Sequence, residues 1–232
     1  MPENATGEYS DRNEIAAMLS ESGIAPRYGD GTVFGEPVVI VDQISMDRSG
    51  YLYRLYSAGG ALLAECVEQI ESYDIAETPL NEAIRKNTTE TMEFRDPQGR
   101  PWASLTHRKV WKSKVSVTGP DGGEIGRFAQ KNVLGKVSFA ITSHGSITGK
   151  LRSTGTRLEQ FDLADQSGNA LGRFVKLGGY SRWRPLVRDA RTVGRYVLEL
   201  SARLPQPLAT MAVVSPVAID LAFNMDPAGY RR

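Results

Sequence analysis

Chemically specialised residues are scarce in this sequence. It contains a single cysteine, Cys66, and only two histidines, His107 and His144. One cysteine excludes an intramolecular disulfide and a zinc site built on several thiolates. Neither histidine has a second histidine at metal-ligand spacing or a nearby carboxylate pair, so both are expected to be ordinary strand or surface residues. The sequence therefore predicts no metal and no cofactor.

Recognisable catalytic motifs are also lacking. The run from Gly145 to Leu151 resembles a phosphate-binding loop, but three residues separate its glycines and a leucine follows Lys150. A Walker loop needs four residues between the glycines and a serine or threonine after the lysine. The sequence has no Gly-x-Ser-x-Gly elbow and no dinucleotide-binding glycine pattern. These absences predict a protein that is not an enzyme and name no catalytic residue.

The first residues, MPENATGEYS, lack the basic and apolar regions of a secretory signal. We therefore expect a cytoplasmic protein. Of the 232 residues, 41% are hydrophobic and 24% are charged. This is the composition of an ordinary folded globular protein.

Charge is divided unevenly along the chain, although the net charge is only +1. Residues 100–195 contain 18 lysines and arginines but 6 acids, whereas the rest of the chain contains 10 basic and 21 acidic residues. Such a division favours a basic surface that meets the phosphate groups of lipid or nucleic acid. The alternative is that the two parts pair with each other inside one fold.

Four segments repeat one pattern, in which a glycine-containing turn joins two stretches of alternating polarity. They are residues 54–68, 94–109, 117–131 and 163–176, and the last two share an apolar residue followed by Gly-Arg-Phe. Glycine supplies the positive φ of a tight turn, and period-two alternation indicates strands with one buried face. The repeats predict a mainly β protein whose antiparallel sheet closes into a barrel, because closure removes exposed strand edges.

The N-terminal 31 residues form a separate region in this prediction. Asp11 and Glu14 have the spacing of a capping box, and Gly23 follows an amphipathic stretch, which predicts a short helix over residues 11–22. Packing on the barrel is its simplest role, and docking of a protein partner is the alternative. We assign residues 1–31 to a tail with this helix and residues 32–226 to the barrel.

The most apolar stretch, Leu204–Phe223, is long enough to cross a bilayer as a helix. Pro216 and Asp220 oppose a membrane span. A helix that is apolar on every side also fits inside a closed barrel of about 12 strands, which encloses a space of that diameter. We therefore predict a central helix over residues 207–224 and no transmembrane span. Its buried residues are predicted to be Met211, Val213, Val214, Val217, Ile219, Leu221 and Phe223.

The candidate binding residues are basic side chains interleaved with tryptophan. Arginine binds phosphate through two parallel hydrogen bonds, and tryptophan favours the headgroup level of a membrane. The alternatives are a half-buried strand with basic residues outside, and pairing with acids of the same chain. The predicted headgroup ligands are Arg108, Lys109, Lys112, Lys114, Arg182, Trp183, Arg184, Arg188, Arg191 and Arg195.

The order of these pieces resembles the tubby C-terminal-like superfamily, which includes the phospholipid scramblases and the LURP-one-related proteins. The resemblance spans about residues 33–224. It rests on Ile125–Phe128 with Gln130 and Asn132, on Leu171–Phe174 with Lys176, and on Val217–Leu221 before the C-terminus.

This resemblance implies a closed antiparallel barrel of 12 strands around one helix. It also implies binding of phosphoinositide headgroups through lysine and arginine, as in tubby proteins, or movement of lipid between leaflets, as in scramblases. The calcium-binding stretch of scramblases is replaced here by residues 188–195, in which a single acid stands among three arginines. A calcium site needs six or more oxygen ligands, so calcium-triggered scrambling is not expected.

Two functions therefore follow from the sequence. The first is a cytoplasmic barrel that binds anionic phospholipid headgroups at the inner face of a membrane. The second is a barrel that binds a protein partner or serves a structural role, with no part in lipid binding. Nucleic-acid binding has only charge in its favour, because no recognition motif accompanies the basic residues.

Overall fold

The computed structural model describes residues 12–47, 50–69, 90–108, 113–132, 136–155, 159–177 and 194–224. Within these ranges the chain forms two helices and twelve strands. The helices are α1 (Arg12–Ser22) and α2 (Leu208–Asn224). The strands are β1 (Val38–Asp47), β2 (Gly50–Ser57), β3 (Leu62–Glu68), β4 (Glu90–Arg95), β5 (Pro101–Arg108), β6 (Lys114–Thr118), β7 (Glu124–Gln130), β8 (Ser138–Ser143), β9 (Ser146–Ser153), β10 (Gln160–Asp165), β11 (Ala170–Leu177) and β12 (Arg195–Leu200).

The strands form one closed antiparallel barrel, as the sequence predicts. Each strand pairs with its neighbours in chain order, and β1 pairs with β12 to close the sheet. The closing register runs from Val38 opposite Glu199 to Asp42 opposite Arg195. Because every strand has two partners, the barrel has no exposed strand edge.

The four predicted hairpins are present as β2–β3, β4–β5, β6–β7 and β10–β11. Each has a register shift beside its turn. Gly122 and Gly168 have φ values of 79° and 91°, a conformation that only glycine adopts without strain. A fifth hairpin, β8–β9, contains the Gly145–Leu151 run, which is therefore a turn and a strand and not a phosphate loop.

The interior of the barrel is filled by alternate strand residues and by α2. Met211, Val213, Val214 and Val217 of α2 are fully buried, and Ile219 and Leu221 are almost so. Phe223 is half-buried and packs edge-on against Phe139 of β8, with ring centroids 5.8 Å apart. The central helix is thus confirmed, beginning at Leu208. No helix among the described residues is long and apolar enough to span a membrane.

Helix α2 contains a proline within its length, and the chain compensates for it locally. Pro216 has no backbone N–H, so the carbonyl of Ala212 loses its helical donor. The hydroxyl of Ser215 donates to that carbonyl over 2.8 Å. The buried carbonyl is therefore satisfied inside an otherwise apolar environment.

Helix α1 lies outside the barrel. Its buried residues, Ile15, Met18 and Leu19, pack on an apolar cluster that includes Val38, Ile40, Tyr56 and Val197. Gly23 follows the helix with a φ of 66° and Ile24 joins the same cluster. The short N-terminal helix is confirmed. Asp11, the first residue of the expected capping box, lies outside the described residues.

The two ends of the barrel differ. The five hairpin turns lie at one end, which we call the turn end, and the opposite ends of the same strands define the other, which we call the connection end. Helix α2 follows β12 from the turn end and runs toward the connection end, where Asp220 meets Lys176 near the end of β11. Residues 109–112 lie between β5 and β6 in the sequence, residues 178–193 lie between β11 and β12, and both segments are outside the described residues.

Candidate functional site

Most of the predicted headgroup ligands fall outside the described residues. This applies to Lys109 and Lys112, and to the group of Arg182, Trp183, Arg184, Arg188 and Arg191. Arg108 ends β5, and only its backbone is described. The predicted role of these seven residues and of Arg108 therefore stays a prediction. Lys114 and Arg195 are described in full.

Arg195 is held by two carboxylates of its own chain. Its Nη2 lies 2.6 Å from Glu14 of α1, and its Nε lies 3.0 Å from Asp42 of β1. Arg173 of β11 similarly contacts Glu199 of β12 over 2.9 Å. These contacts join the basic and acidic parts of the chain, as the internal-pairing alternative expects for this side of the barrel.

Lys114 belongs to a different surface, on the outside of β6 to β9. Interior-facing residues alternate with Lys114 on β6 and with Lys150 and Arg152 on β9, so these three side chains point outward and are exposed. Lys136, just before β8, is exposed as well. No ion pair holds any of the four within the part of the chain that the structure describes.

Strand register places small residues between these cations. Lys114 is opposite Ala129, Ala129 is opposite Ala140, and Ala140 is opposite Lys150. Lys114 and Lys150 are thus three strand spacings apart, or about 14 Å. We call Lys114, Lys136, Lys150 and Arg152, with the two alanines between them, the basic face.

One acidic side chain borders the basic face. Asp162 of β10 is exposed and lies opposite Arg152, without an ion pair between them among the described contacts. Arg127 of β7 points outward too, but it pairs with Glu124 over 2.7 Å near the turn end. The basic face therefore keeps most of its positive charge available to a ligand.

A buried carboxylate marks the interior near the connection end. The side chain of Asp220 is 1% exposed and lies 3.1 Å from Nζ of Lys176, whose side chain is 24% exposed. The hydroxyl of Tyr53 donates to Oδ2 of Asp220 over 2.6 Å, and the hydroxyl of Tyr196 donates to Oδ1. Nζ of Lys176 also lies 5.2 Å from the ring centroid of Tyr196.

Both tyrosines are electrostatically perturbed by this arrangement. Burial, followed by the negative charge of Asp220, raises the pKa of Tyr53 and of Tyr196 well above the ordinary value. The hydroxyls therefore stay protonated and donate to the carboxylate. Three donors from β2, β11 and β12 hold this single side chain of α2, which makes it an anchor for the helix.

Metal ligation finds no support in the described ranges, where no group of three or more histidine, cysteine or acidic side chains comes together.

Comparison with known proteins gives little further information. No protein-family model matches the chain, and no curated protein matches it. Among solved structures, the X-ray structure of a protein from Arabidopsis thaliana, AT5G01750, is similar with a TM-score of 0.48 and 10% sequence identity. The match covers 85% of this chain and 99% of that protein. Likeness at this level establishes neither a family nor a function.

Proposed function

We propose that this protein is a binding module that engages anionic phospholipid headgroups at the cytoplasmic face of a membrane. The observation that carries the proposal is the basic face, where four exposed cations lie around two small residues, Ala129 and Ala140. A cluster of exposed lysine and arginine side chains attracts the phosphate groups of a lipid bilayer. The sequence resemblance to tubby-like proteins points in the same direction.

The binding free energy of the basic face for a membrane depends on its number of cations. Each basic residue near an anionic membrane contributes about 1 kcal/mol, so four contribute about 4 kcal/mol. That free energy corresponds to a dissociation constant of about 1 mM. Firm binding therefore needs further cations, and Arg182, Arg184, Arg188 and Arg191 are the sequence-predicted source.

The test is cosedimentation of the full chain with vesicles of phosphatidylcholine, with and without phosphatidylglycerol. We expect pelleting only with the anionic vesicles and its loss at high salt, because screening weakens exposed charge pairs. The triple variant Lys114→Glu, Lys150→Glu and Arg152→Glu should abolish pelleting. A variant in which Arg182, Arg184, Arg188 and Arg191 are all changed to Gln should also pellet less with anionic vesicles. The decrease should be at least as large as that caused by removing one lysine of the basic face.

A matched control reverses three charges at the turn end: Arg95→Glu, Arg100→Glu and Arg203→Glu. These side chains are exposed and form surface ion pairs, each of which contributes about 0–1 kcal/mol to stability. The control should bind vesicles almost as well as the unaltered protein. Equal pelleting on neutral and anionic vesicles, or equal loss in both triple variants, would contradict the proposal.

A further inference from the structure

Three polar side chains meet on the inner wall of the barrel at the connection end. Glu90 begins β4, His107 is the second-last residue of β5, and Ser113 directly precedes β6. Glu90 lies opposite His107 in the β4–β5 register. Strand alternation places them in line with the buried Met92, Leu105 and Val115, so the three side chains share the interior surface.

Their distances arrange them as a carboxylate, an imidazole and a hydroxyl in that order. Nε2 of His107 lies 2.8 Å from Oγ of Ser113, which is a hydrogen bond. Nδ1 of His107 lies 3.8 Å from Oε2 of Glu90 on the opposite side of the ring. A nucleophile beside a base, with a third group behind the base, is the arrangement that activates a hydroxyl.

Hydrogen bonding within the fold uses only one of the two ring nitrogens of His107. His107 is 3% exposed, and its Nδ1 has no hydrogen-bond partner in the resting geometry. The nearby carboxylate favours the tautomer with the proton on Nδ1, because that N–H then points toward negative charge. Nε2 is then free to accept the proton of the Ser113 hydroxyl.

From this geometry we infer that Ser113 is a nucleophile that His107 activates as a general base, and that the group it attacks is a carboxylic ester. Glu90 is a positioning residue, which orients the imidazole and stabilises its protonated form. This inference goes beyond the proposed lipid binding and does not depend on it.

The reaction balances with water as the only co-substrate. Oγ of Ser113 forms a bond to the ester carbonyl carbon while its proton passes to Nε2 of His107. The carbon–alkoxide bond breaks, and the departing alkoxide takes that proton from the imidazolium. Water then attacks the acyl-serine and gives its proton to Nε2 of His107. The carbon–Oγ bond breaks, Oγ of Ser113 takes that proton back from the imidazolium, and the carboxylic acid and free Ser113 are released.

The surroundings of Ser113 indicate slow chemistry. Its backbone N–H donates to the side-chain oxygen of Gln130 over 3.1 Å, so this donor is already occupied. Loss of one donor to the developing oxyanion costs about 100- to 1000-fold in rate. We therefore expect stoichiometric acylation of Ser113 followed by slow deacylation, with little steady turnover.

The experiment treats the full chain with a fluorophosphonate probe and, separately, with p-nitrophenyl acetate. Mass spectrometry of the digested protein should locate the adduct on Ser113, and the nitrophenol burst should approach one equivalent. Ser113→Ala should abolish both signals, and His107→Gln should slow adduct formation about 100-fold or more, as expected for loss of a general base. Ser153→Ala is the matched control, because Ser153 is buried at the same end but donates to the carbonyl of Gly155.

The role of Glu90 is tested by comparing Glu90→Gln with Glu90→Asp. The glutamine should slow acylation about tenfold or more at unchanged melting temperature, whereas the aspartate should restore part of the rate because it keeps the charge. An unlabelled wild-type protein, an adduct elsewhere, or an unchanged rate in His107→Gln would overturn the inference. Adduct mapping on the unaltered chain gives this answer even when a variant does not fold.

Discussion

At the scale of single residues, Asp220 is the most demanding group in the barrel. A buried carboxylate loses its hydration, and only close opposite charge and hydrogen bonds offset that loss. Tyr53, Tyr196 and Lys176 supply both. Since these donors belong to three different strands, they fix the depth and rotation of α2 within the barrel.

Tyr53→Phe tests this anchor. Removing a hydrogen bond to a charged group should lower the free energy of unfolding by about 1.5–3 kcal/mol at neutral pH. The phenol pKa of Tyr53 is raised in the folded protein, so the unfolded chain releases its proton first, near pH 10. The free energy of unfolding should therefore fall as pH rises above about 10. Tyr53 contributes about 1.4 kcal/mol per pH unit to this fall, and Tyr53→Phe should lack that contribution.

Denaturant titrations of both proteins between neutral and alkaline pH provide the measurement. Tyr28→Phe is the control, because Tyr28 is 70% exposed and should change stability by no more than about 0.5 kcal/mol. If Tyr53→Phe matches this control at neutral pH, the hydroxyl does not hold α2.

Sequence reasoning reaches some of these residues and misses others for definite reasons. Lys114 is among the predicted ligands, whereas Lys150 and Arg152 were missed, although their period-two alternation with buried residues in the run SITGKLRS could have found them. The partnership of Tyr53 and Asp220 was not, because 167 positions separate them and no local pattern connects them. The same holds for Glu90, His107 and Ser113, which only strand register brings together.

At the scale of elements, the hairpins were predictable because turn chemistry is local. The N–H of Gly122 donates to the carbonyl of Gly119, and that of Gly168 donates to the carbonyl of Asp165, so each turn is closed within four residues and the local sequence specifies it. The central helix was predictable from its uniform apolarity. Its compensation at Pro216 was not, since the sequence gives no sign that Ser215 turns back to bond a carbonyl.

A double-mutant cycle on α2 tests that compensation. Ser215→Ala should leave the buried carbonyl of Ala212 without a donor and lower the free energy of unfolding by about 1–3 kcal/mol. In the Pro216→Ala background, the restored N–H of residue 216 donates to the same carbonyl, so Ser215→Ala should then cost much less. Chemical denaturation of the four proteins measures the coupling; additive effects would mean that the hydroxyl does not substitute for the missing N–H.

At the scale of the whole molecule, the uneven charge of the sequence resolves into two different arrangements. Cations on β11 and β12 pair with acids from other parts of the chain, such as Arg173 with Glu199 and Lys176 with Asp220. Lys114 of β6 and Lys150 and Arg152 of β9 have no ion pair in the described structure, and Arg127 of β7 pairs with Glu124 of its own strand. The sequence showed that charge is divided along the chain, but it did not show which cations would be paired. Pairing depends on how far each strand lies from the acidic strands around the barrel.

Cys66, the single thiol, can report opening of the closed barrel. Cys66 lies on β3 opposite Phe94 and is fully buried. Burial, followed by the charge of Glu93, raises the pKa of its thiol well above the ordinary value, so little reactive thiolate forms near neutral pH. We expect the native protein to resist a disulfide reagent such as dithionitrobenzoate, and Cys66→Ser to give the zero-reaction baseline.

The reaction that does occur should report opening of the entire barrel. A closed sheet has no edge strand that can fray alone, so exposure of Cys66 requires the strands around α2 to separate together. When reclosing is faster than labelling, the rate follows the open population, and each 1.4 kcal/mol lost from stability speeds labelling about tenfold. Ser215→Ala should thus accelerate labelling about tenfold for each 1.4 kcal/mol by which it lowers the free energy of unfolding. Denaturant should increase the logarithm of the labelling rate with the same slope with which it promotes global unfolding. A labelling rate that does not respond to denaturant would instead show that β3 opens locally, and that closure does not make the barrel a single cooperative unit.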